Sequence, residues 1–232
     1  MIKSILYNLY KIIYFSFFNI TKIYLLVIFK ISRVYISGYH FTLVGKKWVI
    51  KIVNPKREAL LSKEILKYKF LQLNNTIEEK EKFMIANNKQ AYIANDILYI
   101  EKINATMLSS FLEDQERFLH YFEASIVKLL KLNEDVGFYH GDFHMDNILV
   151  STSTIYFIDF DYQYTNYIEN LKIEADILKF IFFFQKYHKN HYRLYQDELK
   201  MIVLKYFNYQ QLNHAKIKMK YYLKDELNGF FN

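Results

Sequence analysis

Apolar positions recur along this chain with two periods, one helical and one strand-like, and the changes from one to the other mark its elements. At about 100° per residue, residues 1–22 put Lys3, Ser4, Asn8, Lys11, Asn19 and Lys22 on one broad side. Ile5, Leu6, Leu9, Ile13, Phe17 and Ile20 fall on the other, with Phe15 and Phe18 breaking the pattern. This predicts an amphipathic helix. From Ile23 to Val53 the chain is rich in Ile, Val, Tyr and Phe, with turn signals at Gly38 and Gly45-Lys46-Lys47. Strands are expected near 29–37, 39–44 and 47–53. Asn54-Pro55 then introduces a helix over Lys56–Leu73, followed by a polar stretch to Asn88. Two further strands are expected around 91–94 and 97–103, divided by Asn95-Asp96. Residues 107–133 read as one or two helices, with Phe118, Phe122, Ile126, Leu129 and Leu130 as core positions. Ile148–Val150 and Ile155–Ile158 form a hairpin, Ile173–Phe184 an apolar helix, and the last 45 residues two aromatic-rich helices. Strands concentrated early and helices late predict an α+β fold.

Composition supports a folded chain: 52% of residues are apolar, 19% aromatic, and there is one Pro. The absence of cysteine excludes disulfides, a thiolate nucleophile and Cys-ligated zinc, and is compatible with a cytoplasmic location. The net charge of +7 is unevenly placed. Residues 1–57 hold eight Lys and two Arg and no acid, hence +10, leaving 21 basic against 24 acidic residues, hence −3, for the remainder. Such a basic first quarter suggests an anionic partner, a nucleotide or a membrane surface. The longest lysine-free gap in the first helix is ten residues, Ile12 to Thr21, well short of the ~18 needed to span a bilayer. No small-residue cleavage site follows it. The helix would either lie on an anionic leaflet as a peripheral anchor or pack on its own domain. No internal repeat or nucleic-acid motif is present, and no nucleic acid is expected as a partner.

The chemistry gathers in Phe138–Asp161. His140-Gly141-Asp142-Phe143-His144-Met145-Asp146-Asn147 runs into the first hairpin strand, and the second ends on Asp159. Asn147 at the start of one strand and Asp159 at the end of its neighbour would converge with Asp142 at one end of the hairpin. An oxygen-only donor set suits Mg²⁺ with phosphates. A carboxylate five residues before Asn147 could orient an attacking hydroxyl. Two plainer readings compete. On a strand, His140, Asp142, His144 and Asp146 would face one side as a metal cluster, although Gly141 and Asn147 suit a loop better. Alternatively, the carboxylates are ordinary turn residues.

In order and spacing, Asp142, Asn147 and Asp159 resemble the catalytic loop and metal-binding Asp of the protein-kinase-like superfamily. The form His-Gly-Asp-x-His-x-x-Asn with Ile-Asp-Phe-Asp is similar to the branch of aminoglycoside and choline kinases and the lipopolysaccharide core heptose kinases. The resemblance implies a two-lobed fold: a basic amphipathic segment over 1–28, a sheet-and-helix N-lobe over 29–103, and a mainly helical C-lobe over 104–232. It implies ATP and Mg²⁺ as cofactors. Asp142 would accept the proton of a substrate hydroxyl, and Asn147 and Asp159 would hold Mg²⁺. Lys51 would hold the nucleotide phosphates, fixed by Glu64, with Glu58 as the other choice. The backbone of Glu101–Ile103 would read the adenine. Asp176, entering an apolar helix, resembles the residue that hydrogen-bonds the catalytic-loop backbone, or else caps its helix. His140 would prop the loop, and His144 would touch phosphate or metal. Only Gly38 remains where a kinase has a Gly-rich loop, and no Ala-Pro-Glu motif follows Asp161. Only 38 residues separate Glu101 from His140, closest to the minimal sugar-core kinases. A sugar or glycolipid acceptor, most like a heptose of the lipopolysaccharide core, is therefore expected. A minimal protein Ser/Thr kinase and a pseudokinase-type interaction module are the alternatives.

Overall fold

The structure, a computed structural model, describes residues 33–36, 40–53, 92–94, 97–152, 154–160, 171–219 and 227. The expected helices over 1–22 and 56–73, with Glu58 and Glu64, lie outside these residues, as does Gly38. The chain divides into two compact units, one ending at Ile103 and the other running on from Asn104.

The first unit is an antiparallel five-stranded sheet. Its strands are β1 (Arg33–Ile36), β2 (His40–Val44), β3 (Trp48–Val53), β4 (Tyr92–Ala94) and β5 (Ile97–Glu101), in the order β1-β2-β3-β5-β4. β-Branched and aromatic residues fill the strands, as a pleated, half-buried surface requires. Gly45 donates its N–H to the Trp48 carbonyl at 2.7 Å, closing the β2–β3 turn around the exposed Lys46 and Lys47. Lys51 lies at the middle of the sheet, paired with Thr42 on one side and Leu98 on the other. Ile50 and Lys51 alternate across β3, and both are buried. β5 stops at Glu101, two residues short of the expected end; beyond it, Lys102 N–H bonds to the Lys47 carbonyl at 2.8 Å.

The second unit is mainly helical. A short strand β6 (Thr106–Met107) leads through one 3₁₀ turn, Leu108–Phe111, to the long helix α1 (Gln115–Val136). β7 (Ile148–Val150) and β8 (Ile155–Phe157) follow, then α2 (Lys172–Tyr187), α3 (Lys189–Tyr206) and α4 (Tyr209–Lys218). The expected hairpin is the β7–β8 pair, and β6 adds a third strand to it, Thr106 facing Val150 and Met107 facing Leu149. A two-residue strand shows no period, so it was invisible in the pattern. Together the two units make a mixed α+β chain with a kinase-like division into a sheet part and a helical part.

Aromatic rings join the helices of this unit. Phe118 and Phe122, one turn apart on α1, meet Phe184 and Phe180 of α2 at ring separations of 5.1 and 4.4 Å. Phe143 enters the same cluster from the loop, 5.7 Å from Phe180 and 5.6 Å from Phe157. Each fully buried ring contributes ~1.5–3 kcal/mol of transfer free energy, so the loop carrying Phe143 is part of the core. Tyr195 of α3 bonds to the Leu112 carbonyl at 2.6 Å, holding α3 across the start of α1. No described helix is long and apolar enough to cross a membrane.

Candidate active site

The loop begins where α1 is forced to stop. Gly137 takes a left-handed φ of 66°, which glycine adopts without the Cβ clash of other residues. Its N–H bonds to the Asn133 carbonyl at 2.7 Å, and the Phe138 N–H bonds to the Leu132 carbonyl at 3.2 Å. The Asn133 amide returns to the Phe138 carbonyl at 2.9 Å. The chain thus leaves the helix in one direction, towards Asp176.

Asp176, fully buried on the first turns of α2, accepts the backbone N–H of His140 at 2.6 Å and of Gly141 at 2.7 Å, one on each carboxylate oxygen. Two successive amides can converge on one carboxylate because Gly141 also has a positive φ, 81°. The carboxylate therefore holds the loop backbone; it does not cap its own helix. The His140 ring is buried among Phe138, Phe143, Phe157 and Phe160, at 5.2–6.5 Å. Its Nδ1 accepts the Asp142 N–H at 3.2 Å. That bond puts the ring proton on Nε2 and makes His140 a brace for the next residue but one.

Beyond the brace, residues 142–147 form a loop ending in a 3₁₀ turn, Met145–Asn147, that delivers Asn147 directly into β7. The Asn147 amide nitrogen donates to the Asp142 carbonyl at 2.9 Å and lies 3.2 Å from its Oδ2. No hydrogen bond to the Asn147 Oδ1 forms among the described residues. His144 stacks on Phe183 at 4.2 Å with nearly parallel rings. Its Nε2 lies 2.9 Å from the Asn147 amide nitrogen and 3.6 Å from Asp142 Oδ2. The strand-like alternation of four metal ligands is absent, since His140 points into an aromatic cage and His144 onto Phe183. Among the described residues no three His, Cys, Asp or Glu side chains gather around a common point.

Lys179, one turn along α2 from Asp176, makes an ion pair with Asp142 Oδ1. Burial pushes the Asp142 carboxyl up, but His144 and the Lys179 ammonium outweigh it and hold the group well below the usual carboxylate range. Asp142 is therefore an ionised acceptor at neutral pH, 28% exposed at its side chain.

The third residue of the set follows β8. The Ile158 N–H donates to the Asn147 carbonyl at 3.0 Å, tying the end of one strand to the start of the other. Asp159, next in line, is half-buried with a φ of 62°, the one described non-glycine residue in the left-handed region. Such a backbone costs on the order of 1 kcal/mol or more and persists where the surroundings impose it, typically at functional sites. An amide oxygen and a carboxylate fit Mg²⁺, which takes one or two protein ligands together with substrate phosphates.

Residues 94–165 match the family model described as phosphotransferase enzyme family, APH. The match spans 72 of 232 residues, encloses Asp142, Asn147 and Asp159, and supports a kinase-like phosphotransferase. No curated protein matches the chain. The matched stretch leaves out Lys51, Glu64, Asp176 and Lys179.

Of the expected site residues, Asp142 and Asn147 are joined directly, and Asp159 is joined to Asn147 through Ile158. Lys51 is buried at the centre of the first unit's sheet. Glu101 ends β5 opposite Trp48, and Ile103 is half-buried just beyond. Two lysines escaped the sequence reading. Lys179 is one, and its three-residue spacing from Asp176 was the available signal. The other is Lys128, buried on α1, whose Nζ donates to the Ile155 carbonyl over the Tyr156 and Phe157 rings. It fastens β8, the strand leading to Asp159, onto α1.

Proposed function

We propose that this protein is an ATP-dependent phosphotransferase acting on a hydroxyl of a sugar, most like a heptose or related residue of the lipopolysaccharide core. The observation that carries the reading is the Asp142–Asn147 pair, held from behind by Asp176. An ionised carboxylate stands beside an amide whose nitrogen is engaged and whose oxygen is available to a metal. In the proposed reaction, the acceptor hydroxyl gives its proton to Asp142 as its oxygen bonds to the terminal phosphorus. The bond from that phosphorus to the β-phosphate oxygen breaks, and ADP leaves. Mg²⁺ would be held by Asn147 Oδ1 and Asp159 and would offset the phosphate charge. Lys51, fixed by Glu64, would hold the nucleotide phosphates, and the backbone of Glu101–Ile103 would meet the adenine. Little covalent work falls to the protein, so positioning and charge neutralisation are the mechanism.

The sugar acceptor is supported by the short stretch of sequence between Asp159 and Lys172, which lacks an Ala-Pro-Glu motif for docking a peptide, and by the short Glu101–His140 connection. The basic N-terminal segment, with Lys3, Lys11 and Lys22, favours an acceptor linked to lipid at an anionic, cytoplasm-facing leaflet. Incubation with γ-labelled ATP, Mg²⁺ and panels of core glycans, proteins and small alcohols tests this reading. Label in the glycan is the expected result. Label in protein would make the chain a minimal Ser/Thr kinase, and failure to bind Mg-ATP would leave an interaction module.

A further inference from the structure

We propose that Tyr187 is a stacking platform for a second ring of the acceptor, the sugar joined to the one that takes the phosphate. The assignment rests on the sugar-phosphotransferase reading and gives its acceptor a length: two rings or more, not a single small alcohol.

One face of α2 serves the loop turn by turn. Asp176, Lys179, Phe183 and Tyr187 follow one another at steps of three, four and four residues, so they share that face. Asp176 holds the backbone of His140 and Gly141, Lys179 pairs with Asp142, and Phe183 stacks on His144 at 4.2 Å. Tyr187, the last residue of α2, continues the row, its ring 4.6 Å from that of Phe183. The helix is still beside the loop at this point. Burial lowers the pKa of the next residue, His188, and the carboxylate of Asp146 in the loop pulls it the other way. Whereas Asp176 is fully buried, Tyr187 is 59% exposed.

A lone exposed aromatic residue is ordinary on a protein surface. Tyr187 instead closes a stack, His144–Phe183–Tyr187, that begins 3.6 Å from the Asp142 carboxylate and runs out to solvent. Packed on Phe183, the ring has little rotamer freedom left to lose on binding. The face of an aromatic ring carries partial negative charge and attracts polarised C–H groups, and a sugar ring presents a patch of these on one side. Lys186 holds its ammonium 5.4 Å from the Tyr187 ring and 5.1 Å from the Phe182 ring. Such a contact is weak at an exposed site, so a sugar can share the ring with it. The ammonium and the phenol hydroxyl both donate to sugar hydroxyls. Position decides which sugar ring is met. At ~1.5 Å per residue, Tyr187 starts ~12 Å along α2 from Lys179, the partner of Asp142. That is beyond the ring whose hydroxyl meets Asp142, and suits the ring joined to it.

A methyl heptoside (one ring) and a heptosyl-heptoside (two rings) test the proposal as acceptors for γ-labelled ATP with Mg²⁺. The parent is expected to use the two-ring acceptor with the higher kcat/KM. Tyr187→Ala should lower the ratio of two-ring to one-ring kcat/KM by ~3–10-fold, the scale of one aromatic stacking contact. Tyr187→Leu, which keeps apolar bulk and loses the flat ring, should lower it likewise, and Tyr187→Phe and Tyr187→Trp should keep most of it. Melting temperatures report folding; should the Ala variant not fold, the Leu variant carries the same expectation. An unchanged ratio in the folded Ala or Leu variant, or a loss with Phe as large as with Ala, would each overturn the proposal. A parent that phosphorylates both acceptors equally well overturns it alone and leaves the sugar kinase standing. A parent that labels neither sugar overturns the sugar reading and this one with it.

Discussion

Asp176 Oδ1 accepts the backbone N–H of Gly141 at 2.7 Å, across 35 residues of chain. With the partner bond from His140 to Oδ2, this places the conformation of the loop under the control of a helix. Neither amide has water to turn to, since His140, Gly141 and Asp176 are all buried. A carboxylate is the one common side chain that can accept at both oxygens at once.

Asp176→Asn is therefore expected to cost ~1–3 kcal/mol, because an amide accepts at one oxygen and presents a donor to the other N–H. Asp176→Ala, which orphans both, should cost more. Urea unfolding of the three proteins orders them. An Ala variant as stable as the parent would mean that water reaches the two amides.

Asp142→Asn should leave the fold and nucleotide affinity nearly intact while lowering phosphotransfer ~10²–10⁴-fold, the range for a positioned acid–base group. Turnover with γ-labelled ATP measures this, and an unchanged rate would remove Asp142 from the chemistry.

Asp159 offers a separation of backbone from side chain. Asp159→Ala and Asp159→Gly both delete the carboxylate, and both should abolish Mg²⁺-dependent nucleotide binding in calorimetry. At a φ of 62°, however, the Gly variant should be the more stable of the two by ~1 kcal/mol, since only it is relieved of the left-handed Cβ clash. Equal Mg-ATP binding by the Ala variant and the parent would put the metal elsewhere.

Gly137 is a simpler case of the same rule. A Cβ added there meets nothing within 4 Å, so Gly137→Ala should lose only the backbone term, ~1 kcal/mol. A much larger loss in thermal unfolding would show that the helix stop also relays strain to the loop.

Why the nearness of Asp142, Asn147 and Asp159 could be expected beforehand, while the contacts of Lys179 and Lys128 could not, follows from distance along the chain. The first two share a loop and the third follows the adjoining hairpin, where the Ile158 N–H bonds back to the Asn147 carbonyl. Asp176 was legible only as a choice between holding the loop and capping its helix, because the residues it holds come from another element. Lys179 meets Asp142 through the packing of α2 against the loop; its three-residue spacing from Asp176 put the two on one helix face but did not say what that face meets. Lys128 was hidden for a different reason: a lysine on an amphipathic helix is ordinarily solvated, whereas this one sits under β8. The strand β6 was too short for any pattern, and β5 ends at Glu101 although the Lys102–Lys47 bond continues its register with β3 by one step.

Lys128 makes the last prediction, one of sign. Burial lowers its pKa from 10.5 to about 7. Below pH ~7 the folded and unfolded chains both carry the proton, and the folded state bears the full penalty of a buried ammonium. As pH rises from there towards the ordinary lysine value, the unfolded chain keeps a proton that the folded one has shed, and stability contributed by this residue grows. Its slope is ~1.4 kcal/mol per pH unit at most, the linkage value for one proton. Lys128→Met removes the titration and, at every pH alike, the bond to the Ile155 carbonyl. The stability of the parent minus that of the variant, from urea unfolding across the neutral to alkaline range, should therefore climb with pH. Other titrating groups cancel in that difference, because they are common to both proteins. A difference flat in pH would mean that Lys128 stays charged when folded, its ammonium carried by the Ile155 carbonyl and the faces of Tyr156 and Phe157.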